Sequence, residues 1–328
     1  MKIKFLCIIQ LLAILLTSCT NSETKKDNQI DPLIKSEVRA VNTKLVDSFV
    51  DNKPEIVMAM SSFRLLQRKS EIRKLMQLLH GRLKRQNFKI LNEYYQKNAA
   101  KKGVAEVSSG TTGVRDYQIR YEALNKEMYV VVGYFSDTID NKCFTLIYGK
   151  DGNEWKLNNI NVGILKIRNK DAVDWYLSAK SNYEKGNLID ALCNITLSTQ
   201  ILKPANQMWH YNIEKNITVL EKKILSKTYT KYHFPMTISS VDTKPVIFRI
   251  YPESMSEGYF PLILYTTTVD INDIPKLSKE CNELHENIEK LFKGITTNNK
   301  MVLYRPLKSI PDGNDTRKYP GFIQMTKN

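Results

Sequence analysis

The first nineteen residues constrain this chain more than any other stretch, because charge, apolar length and ending all point the same way. Lys2 and Lys4 precede an apolar run from Phe5 to Leu16 that only Gln10 interrupts. As a helix this run is about 18 Å long, too short for a hydrocarbon core about 30 Å thick. The pattern therefore predicts a secretory signal rather than a membrane span.

The apolar run ends in Leu16-Thr17-Ser18-Cys19, an aliphatic residue and two small residues before a cysteine. This ending resembles the lipobox of bacterial lipoproteins. The resemblance implies cleavage before Cys19, a diacylglyceryl group on its sulfur and acylation of the new N-terminus, with palmitate as a typical chain. Membrane lipid is then a partner, and Thr20 in place of Asp favours the outer membrane, facing the periplasm. A plain secretion signal with a chance cysteine is the alternative.

Behind the signal peptide (1–18), residues 19–30 are polar and lack aromatic side chains, which predicts a flexible tether. In residues 31–168 helical spacing comes first and strand spacing follows. Apolar residues recur every three or four positions from Ile34 to Phe49, and they alternate with polar ones from Tyr117 to Ala123. Helices followed by a meandering antiparallel sheet predict an α+β domain.

Two short motifs, Val46–Lys53 in the first helix and Lys150–Lys156 at the last hairpin, resemble the nuclear-transport-factor-2-like (cystatin-like) class. The resemblance implies a cone-like, strongly curved sheet around a pocket that some members use for ligands or catalysis. Catalytic relatives place an Asp–His or Tyr–Asp pair there, whereas His80 of this domain lies near a helix end, so we predict no catalytic residue and no cofactor. Aromatic strand residues are usually core, but four are candidates to line such a cavity: Tyr117, Tyr121, Tyr129 and Tyr134.

Residues 169–227 resemble a tetratricopeptide repeat. Five residues stand at the repeat's expected positions: Trp175, Ala179, Gly186, Ala191 and Ile195. The resemblance implies two antiparallel helices, and a third helix with Trp209 on its inner face is predicted next. Because a single repeat does not bury its own apolar face, these helices form either a structural spacer or a groove for an envelope protein partner.

Residues 228–328 predict an antiparallel sheet with one covering helix, Ile274–Phe292, and they resemble no family that we recognise. Cys281 and His285 have the spacing of two metal ligands on one helical face. Since Cys281 falls in the apolar stripe, we predict a buried thiol and no metal site. Four glutamates at three-residue spacing predict a solvated face on the same helix: Glu280, Glu283, Glu286 and Glu289.

The net charge of +15 is concentrated in one segment, since twelve basic residues and two acidic ones lie between Arg64 and Lys102. We expect this segment to contact an anionic surface, either lipid head groups or an acidic protein. A solvated face without a specific partner is the alternative. Nucleic acid is not expected, because export separates the chain from it and aromatic residues are not interleaved. The candidate residues are Arg64, Arg68, Lys69, Arg73, Lys74, Arg82, Lys84 and Arg85.

Together these patterns predict a lipid-anchored binding or scaffold protein of the bacterial cell envelope with no evident catalytic activity. The alternatives are a small-ligand carrier or enzyme that uses the cone cavity, and a purely structural assembly subunit. Beyond Cys7 and Cys19, three widely spaced cysteines remain, and we predict that they are buried and form no disulfide scaffold: Cys143, Cys193 and Cys281.

Overall fold

The computed structural model describes residues 23–98, 103–137, 139–311 and 319–326, and it confirms the α+β class. Two compact units emerge from the contacts. Unit 1 comprises the described residues up to 109 together with 118–136 and 143–162, and unit 2 comprises the remainder. The regions predicted as separate, 169–227 and 228–328, both belong to unit 2.

The lipobox and Cys19 lie outside the described residues, so lipidation stays a prediction. Among the helices of the described residues, none has the length and hydropathy needed to span a membrane.

Unit 1 begins with helices, as the spacing predicted. In α1 the Asp31 carboxylate accepts hydrogen bonds from the backbone N–H groups of Leu33 and Ile34, and Pro32 occupies the first turn. The apolar stripe of this helix, including Leu45 and Phe49, is buried. The helices are α1 (Pro32–Val50), α2 (Pro54–Ala59), α3 (Phe63–Leu66) and α4 (Lys69–Leu79).

One strand, β1 (Glu23–Lys26), precedes these helices. The strands that follow them are β2 (Phe88–Lys97), β3 (Gly103–Ser108), β4 (Tyr117–Ala123), β5 (Glu127–Phe135), β6 (Asp140–Asp151) and β7 (Glu154–Ile167). Five of them form one sheet in the order β1-β2-β5-β6-β7, and β3 pairs antiparallel with β4. The central position predicted for Tyr129–Phe135 is confirmed, because β5 lies in the middle of the sheet and is buried on both faces.

A continuous core joins the helices of unit 1 to its sheet. Phe49 of α1 meets Phe144 of β6 edge-to-face, with ring centroids 5.5 Å apart. Met76 of α4 and Tyr129 of β5 are fully buried in the same cluster. Large side chains therefore occupy the space between the helices and the sheet.

The flexible tether predicted for 19–30 is wrong for its described part. Glu23–Lys26 form β1, which pairs antiparallel with Tyr94–Lys97 of β2. The Asp27 carboxylate then accepts a hydrogen bond of 2.8 Å from the backbone N–H of Glu93. Polar side chains do not prevent an edge strand, because backbone pairing holds it in place.

Unit 2 contains α5 (Ala172–Glu184), α6 (Leu188–Gln200), α7 (Glu214–Tyr232) and α8 (Ile274–Leu291). Its strands are β8 (Trp209–Tyr211), β9 (Met236–Thr237), β10 (Val246–Met255), β11 (Gly258–Thr266), β12 (Met301–Leu307) and β13 (Phe322–Met325). The sheet order is β13-β12-β11-β10-β9. The antiparallel prediction is wrong for one pair, since β11 and β12 run parallel. Because α8 lies between them in the chain, β12 can return in the same direction as β11.

The predicted helical hairpin is confirmed as α5 and α6, and Gly186 adopts a φ of +80° at the turn. The third helix begins later than predicted. Trp209 lies in β8, where its ring stacks on Tyr117 at 3.9 Å, and α7 starts at Glu214. Burial of this aromatic pair in extended backbone overrides the helical spacing.

Candidate functional site

An open groove of about 540 Å³ runs between α5 and α7 of unit 2. Its apolar walls are Tyr176 and Tyr183 on α5 and Val219 and Leu220 on α7. Tyr176 and Tyr183 are seven residues apart and therefore share one face of α5. Val219 and Leu220 each follow another lining residue of α7, Lys215 and Asn216, by four positions. Tyr176 and Leu220 are buried at the floor, whereas Val219 is 44% exposed at the rim.

Three lysines line the same groove, and they differ in their partners. Lys180 lies 4.0 Å from Glu184, one turn further along α5. Lys215 and Lys223 line the α7 wall, and neither has a carboxylate within ion-pair distance in the described part of the chain. Glu184 also lines the groove, so its three lysines face one carboxylate, and Lys215 and Lys223 keep their charge without an ion pair among the described residues.

One further lysine extends this charge along α7. The ammonium group of Lys227 lies 4.8 Å from the ring centroid of Tyr183, which itself lines the groove. A cation over the face of an aromatic ring is stabilised by the ring quadrupole. Lys227 follows Lys223 by one helical turn, so the row of cations continues beyond the groove wall.

The groove has the chemistry of a binding surface. Aromatic and aliphatic walls with unpaired lysines suit a segment that carries both apolar and acidic side chains. Metal chemistry finds no support, because in the described ranges no three His, Cys, Asp or Glu side chains come together as a metal site.

No family model, curated protein or solved structure matches the chain. The lipobox, cone-like and tetratricopeptide resemblances accordingly remain predictions, and function has to be argued from the geometry.

All eight basic residues predicted to contact an anionic surface are exposed in unit 1. Lys69, Lys74, Arg82 and Lys84 have no ion-pair partner among the described residues. The other four are neutralised at least in part by acids: Arg64 by Glu122 at 2.7 Å, Arg68 by Glu71 at 2.6 Å, Arg73 by Glu55 at 2.8 Å, and Arg85 by Asp47 and by Asp51 at 3.0 Å. The basic face therefore carries about half of the free charge that its sequence suggests.

The four candidate cavity tyrosines do not share one pocket wall. Tyr117 belongs to unit 2, whereas Tyr121, Tyr129 and Tyr134 belong to unit 1. Tyr129 is fully buried and donates a hydrogen bond of 3.1 Å to Glu93, and burial raises its pKa. Tyr134 is half-buried on β5.

Tyr121 lies beside a pocket of about 150 Å³ that Arg64 and Arg68 also line. Its hydroxyl donates a hydrogen bond of 2.7 Å to Gln96, and burial raises its pKa. Ligand pockets for drug-sized molecules usually measure about 300–1,000 Å³. This pocket is therefore small for a ligand carrier. Its lining nevertheless combines one candidate cavity tyrosine, Tyr121, with two residues of the predicted basic surface, Arg64 and Arg68.

Sequence reasoning missed Glu93, the buried acid of β2, which is 1% exposed. Its carboxylate accepts two hydrogen bonds from Arg39 on α1, at 3.1 Å from Nε and 2.6 Å from Nη2. Lys35 lies 3.6 Å away. The only sequence signal was an acid on a strand whose neighbours, Tyr94 and Tyr95, are aromatic.

Unit 2 holds its acids differently. Asp190 is 6% exposed and accepts hydrogen bonds from the side-chain amides of Asn298 and Asn299, at 2.6 and 2.7 Å. Burial raises the pKa of Asp190. Desolvation acts to raise the pKa of Glu289, but hydrogen bonds from the Thr296 hydroxyl at 2.5 Å and from backbone N–H groups, including that of Gly294 at 2.6 Å, lower it overall.

The solvated face predicted for α8 is wrong at Glu280, which is 2% exposed. Its Oε2 accepts hydrogen bonds from the hydroxyls of Thr267, at 2.8 Å, and Thr243. Neutral donors from flanking loops thus bind Oε2 of an acid that three-residue spacing had placed on the polar side, while its Oε1 is buried without a hydrogen-bond partner among the described residues.

Cys281 and His285 do not form an activated pair. Burial raises the pKa of the Cys281 thiol to about 12, and desolvation lowers that of His285. The imidazole Nδ1 instead lies 2.9 Å from the hydroxyl of Tyr304. Cys143 and Cys193 are likewise buried and free, which confirms the prediction for all three cysteines.

Proposed function

We propose that this chain is a lipid-anchored binding protein of the bacterial cell envelope, and that its α5–α7 groove holds an acidic, partly apolar segment of an envelope protein. The observation that carries the proposal is the pair Lys215 and Lys223, which have no ion-pair partner among the described residues and lie beside aromatic and aliphatic walls. A partner that supplies carboxylates satisfies both features at once.

The spacing of the lysines sets a requirement on the partner. Lys215 and Lys223 are eight residues apart on α7, which corresponds to about 12 Å along the helix axis. An extended segment spans that distance in about four residues, and a helix spans it in eight. We therefore expect acidic residues at one of these two spacings, with apolar residues between them.

Lipidation supports the proposal from the sequence side. Acyl chains on Cys19 contribute about 0.8 kcal/mol per buried CH₂ and hold the chain at a bilayer. Confinement there raises the effective concentration of the groove toward a membrane-associated partner. The location that fits best is the outer membrane, facing the periplasm.

In-cell photo-crosslinking tests this function. A photoreactive amino acid replaces Val219, at the groove rim, and in a matched variant it replaces Ile274, which is 48% exposed on α8. We expect a crosslinked protein from the first position only, and we expect peptide mapping to place the adduct in a segment with the acidic spacing above. Lys215→Glu with Lys223→Glu should remove the adduct.

Identical adducts from both positions, or an adduct on a segment without acidic residues, would contradict the proposal. Loss of the adduct with Lys222→Glu and Lys290→Glu would contradict it too, because these exposed lysines make the same charge change outside the groove.

A second candidate function is contact of unit 1 with anionic lipid. It rests on exposed apolar side chains that lie close in the sequence to basic residues without an ion-pair partner among the described residues. Phe63 is 81% exposed and Leu78 is 66% exposed, in the segment that carries Lys69 and Lys74. Sedimentation with anionic vesicles, compared with zwitterionic ones, tests it. Equal binding to both would exclude an electrostatic contribution.

A carrier or enzyme that uses the cone cavity receives less support. Tyr129 and Phe144 fill the space between the helices and the sheet, and the pocket beside Tyr121 is only about 150 Å³.

A further inference from the structure

A pocket of about 430 Å³ lies in unit 1 between α1 and the first residues of β2. Three apolar residues line it, Val46 on α1 and Phe88 and Ile90 on β2. Phe88 and Ile90 share one face because strand side chains alternate. β1 pairs only with Tyr94–Lys97, so the start of β2 has β5 on one side and this pocket beside it.

The polar residues of the pocket are mainly hydrogen-bond donors with unused N–H or O–H groups. Arg39 donates from Nε and Nη2 to Glu93, and its Nη1 has no acceptor among the described residues. Arg85 donates from Nε to Asp47 and from Nη2 to Asp51, and its Nη1 likewise meets no acceptor in the described ranges. Both side chains are about half exposed, at 50% and 55%.

Asn42 is the most informative residue, because it is 3% exposed and still lines the pocket. Its side-chain oxygen accepts the Tyr148 hydroxyl at 2.9 Å, which fixes the orientation of the amide. The amide nitrogen donates to no described residue, and it is not sealed from solvent. A polar side chain that is almost wholly buried therefore offers its free donor to this pocket.

The carboxylate that lines the pocket is already ion-paired. It belongs to Asp47 and accepts the Arg85 Nε–H. Thr43, one residue from Asn42, adds an exposed hydroxyl at the rim. A ligand that fits must bring acceptors to the guanidinium groups and the amide, and an apolar body to the opposite wall.

We propose that this pocket binds a small amphipathic carboxylate, with its head group on Arg85, Arg39 and Asn42 and its apolar body against Val46, Phe88 and Ile90. This site is independent of the α5–α7 groove. None of the four candidate cavity tyrosines lines it.

Calorimetry on the full chain in zwitterionic nanodiscs tests the proposal, with empty nanodiscs as the blank. The probes are phenylbutyrate, phenylbutanol with the same apolar body, and acetate with the head group alone. We expect saturable binding of phenylbutyrate and at least tenfold weaker binding of the other two, because loss of a charge-assisted hydrogen bond lowers affinity by about that factor.

Two variants locate the site. Arg85→Gln should weaken phenylbutyrate about tenfold, and Thr43→Trp should abolish binding by filling the rim. Arg73→Gln is the matched control, since it removes another exposed arginine of unit 1 that is paired with an acid. It should leave affinity unchanged, and unfolding curves confirm that all three variants fold.

Three results would overturn the proposal. Phenylbutanol binding as tightly as phenylbutyrate would show that the donors are not used. Unchanged affinity in both Arg85→Gln and Thr43→Trp would place the ligand elsewhere. Absence of saturable phenylbutyrate binding at millimolar concentration would exclude the site.

Discussion

The buried acidic side chains of the two units have different kinds of hydrogen-bond partner. In unit 1 the buried Glu93 is neutralised by Arg39 and Lys35. In unit 2 the buried Asp190 and Glu280 are held by neutral amides and hydroxyls. Neutral donors leave these two acids without a cation, and Lys215 and Lys223 of the same unit have no ion-pair partner among the described residues, although the unit is less basic.

This difference shows which basic side chains remain available to bind an anionic partner. The segment richest in basic residues has half of its candidate side chains in ion pairs, and exposed pairs of this kind contribute only about 0–1 kcal/mol to stability. The groove of unit 2 has fewer cations, but Lys215 and Lys223 are unpaired beside apolar walls. If the groove is the binding surface that we propose, a count of charges along the sequence ranks the two surfaces in the wrong order.

The largest expected effect concerns membrane anchoring. The experiment tests whether unit 1, whose basic face is partly neutralised, binds membranes without lipidation. Residues 1–19 are replaced by an ordinary cleavable secretion signal, which removes Cys19 and the acyl chains that the lipobox predicts on it. We expect nearly all of the protein to move from the membrane to the soluble periplasmic fraction, because two or more acyl chains dominate anchoring. Fractionation with immunoblotting measures the shift.

The control for this experiment is the same fusion with a lipobox cysteine restored, which should return to the membrane. A cysteine-free protein that still sediments with membranes at physiological salt would show that the basic face, not lipidation, is the anchor.

The next effect sharpens the contrast between the two kinds of buried acid. Glu93→Gln should lower the free energy of unfolding by about 3 kcal/mol, because it leaves Arg39 and Lys35 beside a neutral buried group. Glu280→Gln should lower it by about 1 kcal/mol or less, since the threonine hydroxyls can still donate to the amide oxygen. Urea unfolding measures the loss of unfolding free energy in each variant, and hydrogen exchange shows in which unit that loss occurs. Equal losses in the two variants would show that the two kinds of buried acid do not differ in this way.

The smallest effect concerns pH and His285, which faces a neutral tyrosine hydroxyl rather than an acid. Desolvation lowers the folded-state pKa of His285 below its ordinary value of 6.5. The unfolded chain then binds more protons than the folded one between the two pKa values, so stability falls as pH drops below about 6.5 and is unchanged by this group above it. His285→Gln should flatten that slope in unfolding curves taken at several pH values. An unaltered slope would contradict the assignment.

Local spacing was sufficient to predict much of the fold. The stripe from Ile34 to Phe49 predicted α1, and the alternation from Tyr117 to Ala123 predicted β4. The same reasoning was wrong for Trp209, because the position of this residue in β8 depends on stacking against Tyr117, which is far away in sequence. The parallel pairing of β11 with β12 depends likewise on how α8 returns the chain.

The candidate site was only partly accessible from sequence. The repeat-like spacing around Trp175 and Ala179 indicated a groove between α5 and its neighbours as one of two alternatives. Which lysines stay unpaired was not accessible, because ion pairs such as Arg64 with Glu122 join residues 58 positions apart. Burial of Glu280 depends on Thr243 and Thr267 in the same way.

The most direct test of the central claim is the affinity of a synthetic peptide of alternating glutamate and leucine for three forms of the full chain in nanodiscs. We predict that Lys215→Glu with Lys223→Glu weakens binding at least thirtyfold, equivalent to about 2 kcal/mol, because both cations contact the peptide. Arg68→Glu with Arg73→Glu makes the same charge change on the basic face and should alter affinity less than twofold. Equal weakening by the two pairs of substitutions would contradict the account, since it would show that overall charge, and not the groove, binds the acidic segment.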